Sequence, residues 1–376
     1  FRQRVVQPLV PWARPYWEDD PEFDLRYHVQ RVVLPAPGDE DALLETVSLL
    51  AGLPLDFRRP LWQVFLVEDY DPGPQAHSRE GSVLISRLHH SLGDGLALMQ
   101  VMLSIADGSS RDPQETGRLK PAAEPRHSHR TRSGAARRTA RELGLRNQDT
   151  LEESTEREEW LRLARIVAST AGRLLLMPPD PSTVLKGEPA VPKRVAWSEP
   201  VSVEEVKGIG QRIGGTINDV LLTAVTGALR RYLLERGEST AGLDIRATVP
   251  ISLRPPDAVG ELGNEIGIVF LALPVGIADP MERMRELKRR MDRLKGSVEA
   301  PLFYHAMQTF GSAPTPIVHA ALGFLGTKAT AVVTNVIGPR ERLDLAGAPL
   351  EALMFWTPRF GGVGVGVSIL SYAGEV

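Results

Sequence analysis

His89-His90-Ser91-Leu92-Gly93-Asp94-Gly95 is the stretch on which the reading of this chain turns. Before it, residues 82–89 alternate as a strand does. After it, Leu98, Met99, Met102, Leu103 and Ala106 recur at three- and four-residue spacing, as on a helix that packs against a core. The two histidines therefore stand at a strand-turn-helix junction. Adjacent side chains of a strand point to opposite faces, so one imidazole is expected to reach a cleft and the other to be structural. Asp94 lies four residues beyond His90 and can fold back across the Gly93 turn, to orient an imidazole or to pair with an arginine; Arg254 is the candidate partner. For a lone His-x-x-x-Asp, a turn or core role is the ordinary explanation.

Working outward, the 376 residues carry 44 Lys and Arg against 47 Asp and Glu, a balance that excludes a wholesale basic nucleic-acid binder. No apolar run reaches the roughly 18 residues of a membrane-spanning helix. The longest, 266–278, contains Pro274 and two glycines. The absence of cysteine removes disulfides, thiolate-held metals and cysteine nucleophiles. There is no G-x-S-x-G elbow, no Walker A loop, no H-E-x-x-H and no complete G-x-G-x-x-G after a strand, so serine hydrolase, P-loop and zincin chemistry have no support. The other six histidines are scattered without metal spacing, and no metal is expected. The chain opens on Phe1 with no signal-peptide pattern, which predicts a cytoplasmic protein whose natural start lies earlier.

Strands are expected at 62–68, 82–89, 244–251, 266–274, 330–336 and 362–371, and helices at 216–235 and 280–294. Between the two groups, 118–146 holds nine basic residues against two glutamates with few large apolar ones, the composition of a solvated linker or of a segment drawn to anionic headgroups. The expected division is an N-terminal lobe over 1–115, a basic linker with a connecting helix over 116–190 and a C-terminal lobe over 191–376. Asn218 and Asp219 open the best helix, where capping alone is one explanation of the pair.

The doubled His-His-x-x-x-Asp-Gly resembles the signature of the bacterial wax ester synthase/diacylglycerol acyltransferase family, within the acyltransferases of chloramphenicol acetyltransferase-like fold. Further strings resemble the family's in its own order: Pro54-Leu55-Asp56 with Arg59-Pro60-Leu61-Trp62, Asn218-Asp219, Pro250-Ile251-Ser252-Leu253-Arg254, Leu262-Gly263-Asn264, Leu273-Pro274-Val275, Thr334-Asn335-Val336-Ile337-Gly338-Pro339 and Ser371-Tyr372. The resemblance implies an α/β protein of the α+β sandwich kind, with two such lobes and a tunnel between them. It also implies a peripheral place on a membrane or lipid inclusion, and acyl transfer from acyl-CoA to diacylglycerol or a long-chain alcohol. Acyl-CoA would be a substrate and no cofactor is needed.

The residue chemistry is compatible. An unperturbed imidazole, with a pKa of about 6.5, is mostly neutral at pH 7 and can take the hydroxyl proton as the oxygen attacks a thioester. His90 is assigned that role, with His89, Asp94 and Gly95 completing the motif. Asn218 is the first candidate to support the oxyanion. Thr334, Asn335, Asp219, Arg254 and Trp62 are candidates for contact with substrate, although an aromatic opening a strand is usually core and Asn335 before Gly338-Pro339 suits a turn. Two alternatives stay open: an acyltransferase or condensation enzyme of the same superfamily acting on another hydroxyl or a carrier-bound substrate, and a silent lipid-binding protein.

Overall fold

The computed structural model describes residues 1–8, 15–73, 81–106, 172, 174–187, 191, 193–253, 265–295, 299–310 and 315–376. The chain divides into two compact units, Phe1–Asp94 with Pro189–Pro200, and Gly95–Glu188 with Val201–Val376.

In the first unit, strands β1 (Gln3–Val6) and β2 (Tyr16–Asp19) form an antiparallel pair. A short helix α1 (Leu25–His28) leads into β3 (Val29–Val33), which runs parallel to β4 (Trp62–Tyr70); β4 pairs antiparallel with β5 (Gly81–Leu88). Helix α2 (Glu40–Gly52) starts at Asp39, whose carboxylate accepts the Ala42 N–H. It lays Leu43, Val47 and Leu50 on Phe65, Val67 and Ile85 of the sheet. Each such side chain removed from water contributes about 1.5–3 kcal/mol. Residues 193–200 join this unit rather than the lobe expected from 191 onward. The Val195 N–H donates to Ser48 Oγ at 3.1 Å, and Val195 and Trp197 pack on the same core.

The second unit begins with helix α3 (Gly95–Leu103), so the boundary falls inside the histidine motif. Helix α4 (Val203–Arg212) is followed by α5 (Ile217–Glu235), and the turn between them needs Gly214, at φ +65°. Its sheet has the order β11-β8-β6-β7 among the described residues, built from β6 (Ile245–Ser252), β7 (Ile266–Leu273), β8 (Ala331–Ile337) and β11 (Val365–Ser371). The small strands β9 (Asp344–Leu345) and β10 (Ala348–Pro349) pair with each other.

Leu222, Leu229 and Leu233 of α5 share the apolar core with Leu287 and Met291 of α6 (Pro280–Lys295) and with the inward residues of all four strands. Helix α7 (Glu299–Phe310) lies against β7, where a Cβ on Gly267 would collide with the Ala300 carbonyl. Helix α8 (Thr315–Thr327) leads into β8. The β6 strand pairs with β8 only at Ala247↔Ala331 and Thr248↔Val332, whereas β11 accompanies β8 from Ala331 to Ile337. No described helix is long and apolar enough to cross a membrane. The basic segment 118–146 lies outside the described residues.

Candidate active site

The strand carrying the histidines ends at Leu88, one residue earlier than its pattern predicts, so both imidazoles hang from the turn that follows and strand alternation does not separate them. A local hydrogen bond does. The Ser91 backbone N–H donates to His89 Nδ1 at 3.2 Å, and Ser91 Oγ lies 2.8 Å from the same nitrogen. A ring nitrogen that receives an N–H presents its lone pair there, so the neutral imidazole of His89 carries its proton on Nε2. Burial, and then the neighbouring charge of His90, hold His89 below the ordinary imidazole value. The backbone is pinned as well: His89 N–H donates to Leu61 C=O at 3.0 Å and Leu92 N–H to His89 C=O at 3.0 Å. The Phe57 ring meets His89 edge-on at 5.5 Å. His89 is thus held by Ser91, Leu61 and Phe57, and His90 beside it is half-buried.

Asp94 closes the turn at 1 % exposure. A carboxylate so far from water must be met by a charged or hydrogen-bonding group. Arg254, the partner expected for it, lies outside the described residues, as does 262–264. Gly95 opens α3, and a Cβ placed there would meet nothing within 4 Å.

In the second unit, capping and site chemistry belong to different residues. The N-cap of α5 is Thr216, not Asn218. Asp219 Oδ2 accepts from the Thr216 N–H and hydroxyl, both at 2.8 Å, while the Asp219 N–H donates back to Thr216 Oγ1 at 3.3 Å. This reciprocal arrangement satisfies the first-turn donors and buries Asp219 completely. Asp219 is therefore a scaffold residue, and the substrate contact considered for it gives way to the cap. Asn218, next to it, is free of capping duty, and Asn335 Nδ2 donates to its Oδ1 at 3.1 Å. Asn335 is exposed and sits within β8 opposite Ile369, so it is a strand residue and not part of a turn. Its neighbour Thr334 is half-buried, opposite Ser368.

Trp62 is held in an aromatic cluster. It stacks on buried His28 at 4.4 Å, its indole N–H donates to Phe1 C=O at 2.7 Å, and its own carbonyl lies 2.7 Å from His28 Nδ1. The half-buried ring is thus engaged by His28 and by the Phe1 carbonyl. The string around it still serves the motif, because Trp62 pairs with Leu88 and the preceding Leu61 carbonyl holds His89. Sequence reasoning missed Leu61, Phe57 and Ser91 as supports of the histidines. The order of the strings was the available signal for Leu61, and the i, i+2 spacing for Ser91. Tyr372 is likewise structural, its hydroxyl accepting from Leu343 N–H at 2.9 Å and donating to Leu350 C=O at 2.8 Å. Among the described residues, no three His, Asp or Glu converge as a metal site.

A mixed α/β fold of two units with the His-His-x-x-x-Asp-Gly stretch at a strand-to-helix turn is given its class, acyltransferase, by comparison with known proteins. The family model described as the wax ester synthase/diacylglycerol acyltransferase catalytic domain matches residues 1–221, and that of the family's C-terminal domain matches 262–376. The chain belongs to the wax ester synthase/diacylglycerol acyltransferase family. It is 29 % identical over 380 residues to the Mycobacterium tuberculosis protein named probable diacylglycerol O-acyltransferase tgs1, covering 100 % of this chain and 78 % of that one. A second M. tuberculosis protein carrying a diacylglycerol O-acyltransferase name is 30 % identical over 357 residues, covering 91 % and 72 %. The fold is that of the wax ester synthase/diacylglycerol acyltransferase from Marinobacter aquaeolei VT8, with a TM-score of 0.64 at 22 % identity, covering 100 % of this chain and 78 % of that one.

Proposed function

We propose that this enzyme moves a fatty acyl group from acyl-CoA to the hydroxyl of diacylglycerol or of a long-chain alcohol, with His90 as general base and without a covalent acyl-enzyme or a cofactor. The observation that supports the reading is the hold of Ser91 on His89 Nδ1, with His90 beside it at the strand-to-helix turn, in a chain that the family models match on both sides of the motif.

The acceptor oxygen attacks the thioester carbon while His90 takes its proton. The tetrahedral oxyanion is stabilised by an amide N–H donor, for which Asn218 is the candidate, and removing one such donor typically costs about 3–4 kcal/mol of barrier. Collapse breaks the carbon-sulfur bond, and the CoA thiolate recovers the proton from the imidazolium. The products are triacylglycerol or wax ester and free CoA. Both acceptor and product are poorly soluble, which favours work at a membrane or lipid-inclusion surface from the cytoplasmic side.

The test is CoA release from palmitoyl-CoA in the presence of hexadecanol or a diacylglycerol. Acceptor-dependent release is expected, and His90→Ala abolishes it while the melting temperature is kept. Acceptor-dependent release that survives in His90→Ala would remove His90 from the chemistry. Lipid binding without release from any acceptor would favour a silent lipid binder.

A further inference from the structure

Arg87 lies two residues before His89 on β5, on the strand face whose earlier residues Val83 and Ile85 pack into the core beneath α2. It is half-buried. Its Nη1 donates to Gln63 Oε1 at 2.7 Å, across the strand pair in which Gln63 stands opposite Arg87 on β4. Its Nη2 donates to the carbonyl of Leu53, the residue that caps the end of α2. No carboxylate pairs with it among the described residues, and burial pulls its pKa below the ordinary guanidinium value, with Tyr27 opposing the shift. A cation drawn out of water and met only by neutral oxygens is a costly occupant of that place. A methionine there would continue the apolar row of Val83 and Ile85. The charge is explained instead by what the two oxygens hold.

Leu53 opens and Leu61 closes the loop that joins α2 to β4, and both ends are gripped from β5 and the turn after it. Arg87 takes the Leu53 carbonyl, and the His89 N–H donates to the Leu61 carbonyl at 3.0 Å. Inside the loop, Asp56 Oδ1 accepts the Arg58 N–H at 3.0 Å and the Asp56 carbonyl accepts the Arg59 N–H at 3.1 Å, a turn whose second residue is Phe57. The Phe57 ring is 44 % exposed and meets His89 edge-on, with 5.5 Å between centres. The ring that covers His89 is therefore carried on a loop whose first end is tied to Arg87.

We propose that Arg87 is a positioning residue for acyl transfer: by holding the Leu53 carbonyl it keeps Phe57 on His89, and so fixes the turn that carries His90. It acts through these residues and touches no reacting atom. The inference rests on the acyl-transfer reading for its effect on rate, whereas the hold on Phe57 and His89 stands apart from that reading.

The experiment compares Arg87→Met, which keeps the length and loses the donors, Arg87→Lys, which keeps the charge, Phe57→Leu, and the double variant Arg87→Met/Phe57→Leu. Arg31→Met, which loses an exposed ion pair with Glu68, is the control. With palmitoyl-CoA and hexadecanol, Arg87→Met and Phe57→Leu are each expected to lower kcat about tenfold with little change in KM, and Arg87→Lys to recover part of the loss. The double variant should match the single ones, because both remove the same contact. Arg31→Met should match the unaltered chain. The His89 ring signal, followed by NMR across its titration, gives a readout independent of turnover: in Arg87→Met and in Phe57→Leu it should titrate closer to about pH 6.5 than in the unaltered chain. Arg87→Lys carries the same comparisons should Arg87→Met fail to fold. Full kcat in Arg87→Met, losses that multiply in the double variant, or a His89 titration left in place each overturn the proposal. If the unaltered chain turns over neither acceptor, the acyl-transfer reading fails, and the His89 titration alone decides whether Arg87 keeps Phe57 on the imidazole.

Discussion

Asn335 donates its side-chain amide to the carbonyl oxygen of Asn218 across 117 residues of sequence, at 3.1 Å. The bond fixes which end of the Asn218 amide is engaged, and its NH2 group is left as the donor. Asn218→Ala is expected to lower kcat about 10²-fold with little change in KM for acyl-CoA. Asn335→Asp presents an acceptor in place of a donor and turns the Asn218 amide over, so it should approach the loss of Asn218→Ala, whereas Asn335→Ala loses only about tenfold. Steady-state kinetics on the three variants checks the order; equal effects of Asn335→Ala and Asn335→Asp would remove the positioning role.

His89 supplies the pH dependence. Its folded-state pKa lies below the unfolded value, because of burial first and the His90 charge second. Below about pH 6.5 the unfolded chain therefore binds a proton that the folded chain refuses, and the stability held above that pH is lost as pH falls toward the folded value. Melting temperatures between pH 7.5 and 5 should decline, and His89→Gln should make the decline shallower. An identical slope in the variant would assign the decline to other groups.

Asp180 fastens residues 174–187 to the sheet of the second unit. Its buried carboxylate accepts from the Arg246 N–H and guanidinium and from the Thr330 hydroxyl. Burial nevertheless pushes its pKa up against these partners. Asp180→Ala leaves Arg246 largely buried without its counter-ion, and a loss of about 3–5 kcal/mol is expected in denaturant unfolding. Lys186→Met, whose amine bonds only carbonyl oxygens, should cost less.

The capping box at α5 gives a separable prediction. Thr216→Val removes the hydroxyl that receives the Asp219 N–H and should cost about 1 kcal/mol of stability. Because Asn218 lies in the same first turn, two residues on, kcat should fall as well, but less than in Asn218→Ala. Chemical denaturation and turnover on the same preparation compare the two effects.

Where the periodicity was strong, the sequence was sufficient: α5, α6, β6 and β7 fall within a residue or two of their expected bounds. Helices α7 and α8 were invisible because Glu299 is the one Asp, Glu, Lys or Arg in either, so their faces show no charge contrast. Helix α2 went unread although Asp39 and the spacing of Leu43, Val47 and Leu50 signal it. The histidine pair and Asn218 stand out in the sequence by their motifs. The roles of His89 and His90 were not separable by alternation, since the strand stops before both, and a contact as distant as Asn218 to Asn335 has no local signature. Asp219 was read toward substrate because a buried cap carries the same letter as a ligand contact, and the stacking of Trp62 on His28 has no local signature.

Strands β6 and β8 share a ladder at only two positions, after which β8 continues with β11 alone. In mechanical terms this sheet is stiff at one end and compliant at the other. Beyond Thr248 and Val332 the two strands can be prised further apart without breaking a ladder bond between them, so a bulkier guest lodged there is resisted by side-chain packing alone. Asn335 stands on that part of β8, and its bond to Asn218 joins the strand to helix α5.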